Sequence, residues 1–182
     1  MKNALIVNDF QKDFTSDNGF YAKRHPNRRK IIEAKTNLRS LLRSERSFDR
    51  YIIASNYKEN QFEEDLSMCI PNTEGHELDF ELSDTTNLFY KEEHSIFSNR
   101  KLTEELQQEN YDSLFLTGFL AEYCVYKSAL DSFNLGLNTY IIPECIGTAD
   151  EKYESSIQKI QELGAKSISL TEFQMSFIES NP

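Results

Sequence analysis

Three side chains that together could attack a carbonyl stand in this chain, each just past a short apolar run: a carboxylate at Asp9, an ammonium at Lys91 and a thiol at Cys124. A thiol becomes a strong nucleophile once its proton is removed. A nearby carboxylate can take that proton, and a lysine can hold the carboxylate and stabilise negative charge. The stretch around the thiol is the most informative. Leu114-Phe115-Leu116 has strand length, Thr117-Gly118 breaks it, and Ala121 to Asn134 reads as a helix with Ala121, Val125, Ala129 and Phe133 four apart on one face. Cys124 then lies near the first turn of a helix that follows a strand. Backbone amides and the helix dipole there favour a thiolate and can hold an oxyanion. Taken alone, Cys124 also reads as a small buried apolar residue.

The elements that would position these groups follow from hydrophobic patterning. Ala4 to Val7 is a continuous apolar run, a buried parallel strand. Asp9 sits at its carboxyl end, where ligands gather in open α/β sheets; a turn or helix-cap carboxylate is its other reading. Ser16 to Gly19 is a turn, and Asn27 to Arg46 a basic amphipathic helix with Ile31, Ile32, Leu38, Leu41 and Leu42 on its apolar side. Tyr51 to Ala54 is a second strand running into Ser55-Asn56-Tyr57-Lys58. Residues 61–84 lack periodicity and carry Pro71, Gly75 and many acids, an excursion that could wall a site; His76 within it reads as a surface histidine. Leu88 to Tyr90 is a third strand leading into Lys91, whose neighbours Glu92, Glu93 and His94 also allow an ion-paired surface lysine. Thr103 to Gln108 reads as a helix capped by Thr103, and Gly136 as the C-cap of the Cys124 helix. Thr139 to Ile142 is a strand closed by Pro143, Tyr153 to Leu163 a helix, Lys166 to Leu170 a last strand, and Thr171-Glu172-Phe173 a terminal helical turn. The alternation predicts one α/β domain over residues 1–182, with a mostly parallel sheet and helices on both faces. Strand ends in such a sheet converge on one crevice, so Asp9, Lys91 and Cys124 are expected to meet.

Composition narrows the partners. A net charge of −10 argues against nucleic acid, whose binding rests on Lys and Arg meeting phosphates. No run approaches the ~18 apolar residues of a membrane span. The opening Met1 to Asp9 reaches an acid too soon for a signal peptide. The three cysteines, at 69, 124 and 145, are too widely spaced for a disulfide framework or a zinc site, and fit a reducing cytoplasm. The expected partner is a small-molecule substrate.

Taken in order, the motifs resemble the isochorismatase-like cysteine hydrolases, the superfamily that includes nicotinamidases and N-carbamoyl amidohydrolases. Ala4-Leu5-Ile6-Val7-Asn8-Asp9-Phe10-Gln11-Lys12-Asp13-Phe14 resembles the opening strand and its aspartate. Pro71 to Leu78 resembles a loop before the lysine strand, Tyr90-Lys91-Glu92-Glu93-His94-Ser95-Ile96-Phe97 the lysine motif, and Gly118-Phe119-Leu120-Ala121-Glu122-Tyr123-Cys124-Val125 the nucleophile motif. The resemblance implies a Rossmann-like three-layer α/β/α fold with a sheet of about six strands. It implies that Cys124 attacks a small amide or ureide, that Asp9 carries the proton, that Lys91 fixes the pair, and that a thioester is hydrolysed by water. It further implies a cis peptide at Phe119-Leu120, an oxyanion hole of the Leu120 and Cys124 amides, and a homo-oligomer. Phe14 matches a substrate-packing position; Asn56, Tyr57 and Glu122 are further candidates for the pocket. Nicotinamidases carry an Asp-x-His after the second strand, plus a later His, for a metal. Here that place reads Ser55-Asn56-Tyr57-Lys58, so no catalytic metal or other cofactor is expected. Two alternatives stay open: a vinyl ether hydrolase of the isochorismatase type, and a non-catalytic binding or scaffold protein keeping an inherited pocket.

Overall fold

The first strand, Asn3–Asn8 (β1), is buried along its whole length because apolar side chains meet both of its faces. Leu5 and Val7 join a cluster with Phe10, Phe14, Ile31, Leu38 and Phe173, while Ala4 and Ile6 join another with Leu102, Leu106, Val125 and Ile157. That two-sided burial is why β1 is a continuous apolar run rather than an alternating one. The computed structural model describes residues 2–44, 48–82 and 87–177.

Five further strands pair with β1: Asp49–Ser55 (β2), Asn87–Lys91 (β3), Ser113–Phe119 (β4), Thr139–Gly147 (β5) and Lys166–Ser167 (β6). All pairings are parallel and the order is β3-β2-β1-β4-β5-β6. The helices are Lys12–Thr15 (α1), Phe20–Arg24 (α2), Arg29–Arg43 (α3), Arg100–Gln108 (α4), Tyr126–Asn134 (α5), Asp150–Glu162 (α6) and Leu170–Ser176 (α7). α3 and α7 supply residues to the first cluster; α4, α5 and α6 supply the second. The result is the expected three-layer α/β/α fold.

Several boundaries differ from the sequence reading, each for a local reason. β5 continues through Pro143 to Gly147; proline removes one ladder donor, and the pairing with β4 shifts register between Leu116 and Gly118 before resuming at Ile146. α4 begins at Arg100, because the Asn99 side chain, rather than Thr103, accepts the Leu102 amide at 2.9 Å. The last strand is only two residues long, since Ser169 opens α7 with a capping box to Glu172. α3 begins at Arg29, and positions 45 and 46 of the helix expected there lie outside the described residues, as do positions 83 and 84 of the expected excursion. Ile32 is 51% exposed: Ile31, Ala34, Leu38 and Leu41 hold the inward stripe, and Ile32 lies one residue round the axis. Phe133 is 60% exposed for a related reason, since residues four apart on an α-helix drift about 40° per step, which carries it off the face of Val125 and Ala129. Gly136 does end α5, with φ of 71°, its amide on Phe133 O and the Leu137 amide on Ser132 O.

Candidate active site

The winding of the sheet reverses between β1 and β4, and the crevice beyond their carboxyl ends is where an open α/β sheet receives a ligand. Asp9 and Cys124 come from the two sides of that point. Asp9 is the residue after β1 and is held at φ 51° by its amide bond to Ile53 O at 2.7 Å; Asp tolerates this left-handed region better than most residues. Opposite it, Gly118 pairs with Asn8 at φ 107°, and a Cβ there would lie 2.0 Å from Asn8 O, so only glycine lets the strand ends approach. The Phe119–Leu120 peptide is cis.

Beyond it, Ala121–Val125 forms a π-helical turn in which the Tyr123 and Val125 amides both reach Leu120 O at 3.2 Å. Cys124 lies in this turn. Ser128 fixes it from α5: its hydroxyl donates to Cys124 O at 2.6 Å and accepts from the Ile96 amide at 3.1 Å and from Asn8 Nδ2 at 3.3 Å. Lys91 ends β3, two strands away from β1, and reaches the crevice past Ser55, its register partner at the end of β2.

The three expected groups come together. Lys91 Nζ lies 3.0 Å from Asp9 Oδ2, with both side chains fully buried, and 3.5 Å from Cys124 Sγ. The ammonium also donates to Ser55 Oγ at 3.0 Å, Tyr57 OH at 3.0 Å and Glu93 O at 2.9 Å. Ser55 in turn donates to Asp9 Oδ1 at 2.7 Å. Asp9 Oδ2 has the Lys91 ammonium beside it and no other donor but the thiol's own proton among the described residues.

Burial, and then the charge of Asp9, pushes the Cys124 thiol up to about 12, with Lys91 pulling the other way. This is opposite to the thiolate that helix-start geometry alone predicts. The resting thiol is therefore protonated at neutral pH and needs a base. Burial works against the charge of Lys91, yet Asp9 and Cys124 outweigh it and the lysine stays charged, its affinity for a proton raised. Burial and the same two neighbours hold Tyr57 well above the usual phenol range, so its hydroxyl stays a donor.

Cys124 opens onto a cavity of about 170 Å³. Its walls include Phe14 and Tyr57, two of the candidate pocket residues, together with Leu120, Phe62, His94 and Tyr123; Arg24 and Lys152 are cations of its lining. Glu122 and Asn56 do not line it. The Glu122 carboxylate pairs with Lys152 at 3.2 Å and accepts from Tyr21 and Thr148, which ties α6 to α2. Asn56 bonds His76 Nε2, and the His76 ring stacks on Tyr90 at 5.7 Å, so this histidine is half-buried rather than a surface residue. Both polar groups are turned into packing, a direction the sequence does not carry.

A metal of the nicotinamidase kind does not fit here. Asn56 and Lys58 stand where its ligands are needed, an ammonium repels a cation, and among the described residues no group of three His, Cys, Asp or Glu is arranged to hold one. Sequence reasoning missed Ser55, His94 and the aromatic wall carried by α2. Ser55 had a signal in its place at a strand end; α2 is too short for one.

A family model described as the Isochorismatase domain matches residues 3–172. The uncharacterized isochorismatase family protein PncA of Bacillus subtilis (strain 168) is 24% identical over 165 residues, 84% of this chain and 90% of that protein. Among solved structures, the pyrazinamidase of Pyrococcus horikoshii in complex with zinc is 22% identical with a TM-score of 0.79, covering 93% of this chain and 99% of that one. N-carbamoylsarcosine amidase from Thermoplasma acidophilum is 18% identical with a TM-score of 0.73, covering 94% and 98%. At these identities the two structures establish the fold.

Proposed function

Because the chain belongs to the isochorismatase domain family, we propose that it hydrolyses a small amide or ureide through a Cys124 thioester, with Asp9 as proton carrier, Lys91 as electrostatic anchor and no metal. The observation that carries this reading is the convergence of Lys91 Nζ on Asp9 Oδ2 at 3.0 Å and Cys124 Sγ at 3.5 Å beneath an aromatic cavity. Amide-hydrolysing neighbours, a pyrazinamidase and an N-carbamoylsarcosine amidase by name, support it.

In the proposed cycle Asp9 takes the Sγ proton as sulphur bonds to the carbonyl carbon, and the carbonyl electrons move onto oxygen. The Leu120 and Cys124 amides hold that oxyanion. Collapse breaks the C–N bond, Asp9 returns the proton to the departing nitrogen, and a thioester remains. Water then attacks the thioester, Asp9 taking its proton. Release of the acid breaks the C–S bond, and the proton returns to sulphur. Lys91 stays charged throughout, so each negative charge forms beside a fixed cation.

The test is a panel of small primary amides and ureides with the wild-type chain, Cys124→Ala and Asp9→Asn. Both substitutions are expected to cut turnover by at least ~10³-fold, the scale on which removing a member of a nucleophilic triad acts. Turnover of a vinyl ether that survives Cys124→Ala but not Asp9→Asn, with no amide turned over, would favour ether hydrolysis. Alkylation of Cys124 no faster than that of Cys69 or Cys145, with no turnover, would favour a binding protein.

A further inference from the structure

Four polar side chains surround the Cys124 sulphur, and the proposed cycle uses two of them, Asp9 and Lys91. Lys91 and Tyr57 present donors, the ammonium at 3.5 Å and the hydroxyl at 3.6 Å. Asp9 presents an acceptor. The fourth is His94, whose Nδ1 lies 3.9 Å from Sγ.

The surroundings of His94 fix which part of the ring is free to act. One face stacks on Phe62, with centroids 4.2 Å apart and planes at 19°. Tyr123 lies 5.5 Å away at 31°, and Tyr57 meets the imidazole edge-on at 6.2 Å. With one face on Phe62 and two further rings beside it, the imidazole is held with Nδ1 toward the reacting atom. A side chain whose rotamer is locked by packing holds a hydrogen bond in a fixed direction.

On the reading of the site as a thioester hydrolase, we propose that His94 is a positioning residue: its unprotonated Nδ1 accepts an N–H of the leaving nitrogen and, after departure, an O–H of the water that replaces it. Nitrogen and water occupy the same place by microscopic reversibility, so one acceptor serves both halves of the cycle. Asp9 moves the proton; His94 aligns the lone pair that receives or attacks.

The role requires a neutral ring. The groups that bear on it are Asp9 after β1, Tyr57 after β2, Lys91 at the end of β3, Cys124 and Tyr123 in the π turn and Lys127 in α5. Burial, then Lys91, with Lys127 adding to it, disfavours the imidazolium; Asp9 favours it; the balance holds His94 below the usual histidine range.

Two measurements test the proposal. Nitrogen-15 NMR of the imidazoles, assigned with His94→Phe, is expected to show a neutral ring with Nδ1 unprotonated at pH 7; a proton on Nδ1 overturns the role. In kinetics, His94→Phe, which keeps the stack, is expected to lower kcat for a primary amide about 10- to 100-fold with KM little changed. His94→Gln is expected to recover part of the loss and to lack the acid-side fall of rate that imidazole protonation causes. Turnover that needs Cys124 but not His94 overturns this role alone, whereas a wild type that hydrolyses none of the amides overturns the proposed hydrolysis and this role with it.

Discussion

Lys91 is a cation with no solvent contact, and its charge is matched by Asp9, Ser55, Tyr57 and a backbone carbonyl. Removing it leaves a buried carboxylate without its counter-ion, so Lys91→Met is expected to destabilise the fold by ~3–5 kcal/mol in urea denaturation. Adding Asp9→Asn should recover much of that loss, and a double variant no more stable than Lys91→Met would mean the pair is not coupled. The thiol is read by its pH dependence. Burial is the larger reason the Cys124 value is raised and Asp9 the next. Asp9→Asn should therefore shift the midpoint of Cys124 alkylation by iodoacetamide to lower pH even as turnover is lost, followed by peptide mass spectrometry. An unmoved midpoint would place the carboxylate charge away from sulphur. At this scale the sequence revealed residue types at strand ends, which was enough for Asp9, Lys91 and Cys124. It does not reveal side-chain direction, so it points Asn56 and Glu122 to a pocket they do not line. Nor does it reveal the desolvation that reverses the direction of the thiol shift.

At the scale of elements, the site depends on β1 and β4 ending close together, and Gly118 is the residue that permits it. A methyl group there would meet Asn8 O, and the φ of 107° is one that side-chain-bearing residues avoid. Gly118→Ala is thus expected to cost at least ~2 kcal/mol, adding backbone strain to a steric contact, and to lower activity in the fraction that stays folded. Thermal unfolding together with specific activity checks it; an alanine variant as stable as the wild type would show that the strand ends can move apart. Strands β1, β2 and β4 were legible because runs buried on both faces contain little but apolar residues. The π turn was not, since its extra residue per turn leaves no mark in a periodicity built on 3.6. Helices α1 and α2, of four and five residues, are too short to show a period, yet Phe14, Phe20, Tyr21 and Arg24 on them wall the cavity.

For the whole molecule, the order β3-β2-β1-β4-β5-β6 brings loops from both halves of the sheet to one crevice, so residues more than a hundred positions apart share a site. The alternation of elements made this topology readable, because right-handed parallel crossovers allow few arrangements. The same fold carries a zinc-bound pyrazinamidase, so the architecture alone does not decide whether a metal takes part. The residues after β2 are what the proposed metal-free mechanism rests on. Asn56 is committed to His76, and Lys58 would place an ammonium beside any cation. In the proposed mechanism, substrate orientation is left to the aromatic wall and to hydrogen bonds near sulphur, none of which needs an ion. Turnover of the best amide is accordingly expected to stay unchanged after exhaustive chelation, and added zinc is expected to give no activation. Zinc at high concentration should inhibit if anything, by binding the thiolate formed during the cycle. Loss of activity on chelation, restored by one divalent metal in proportion to its occupancy, would sink the metal-free mechanism while leaving Asp9, Lys91 and Cys124 to be tested by their own variants.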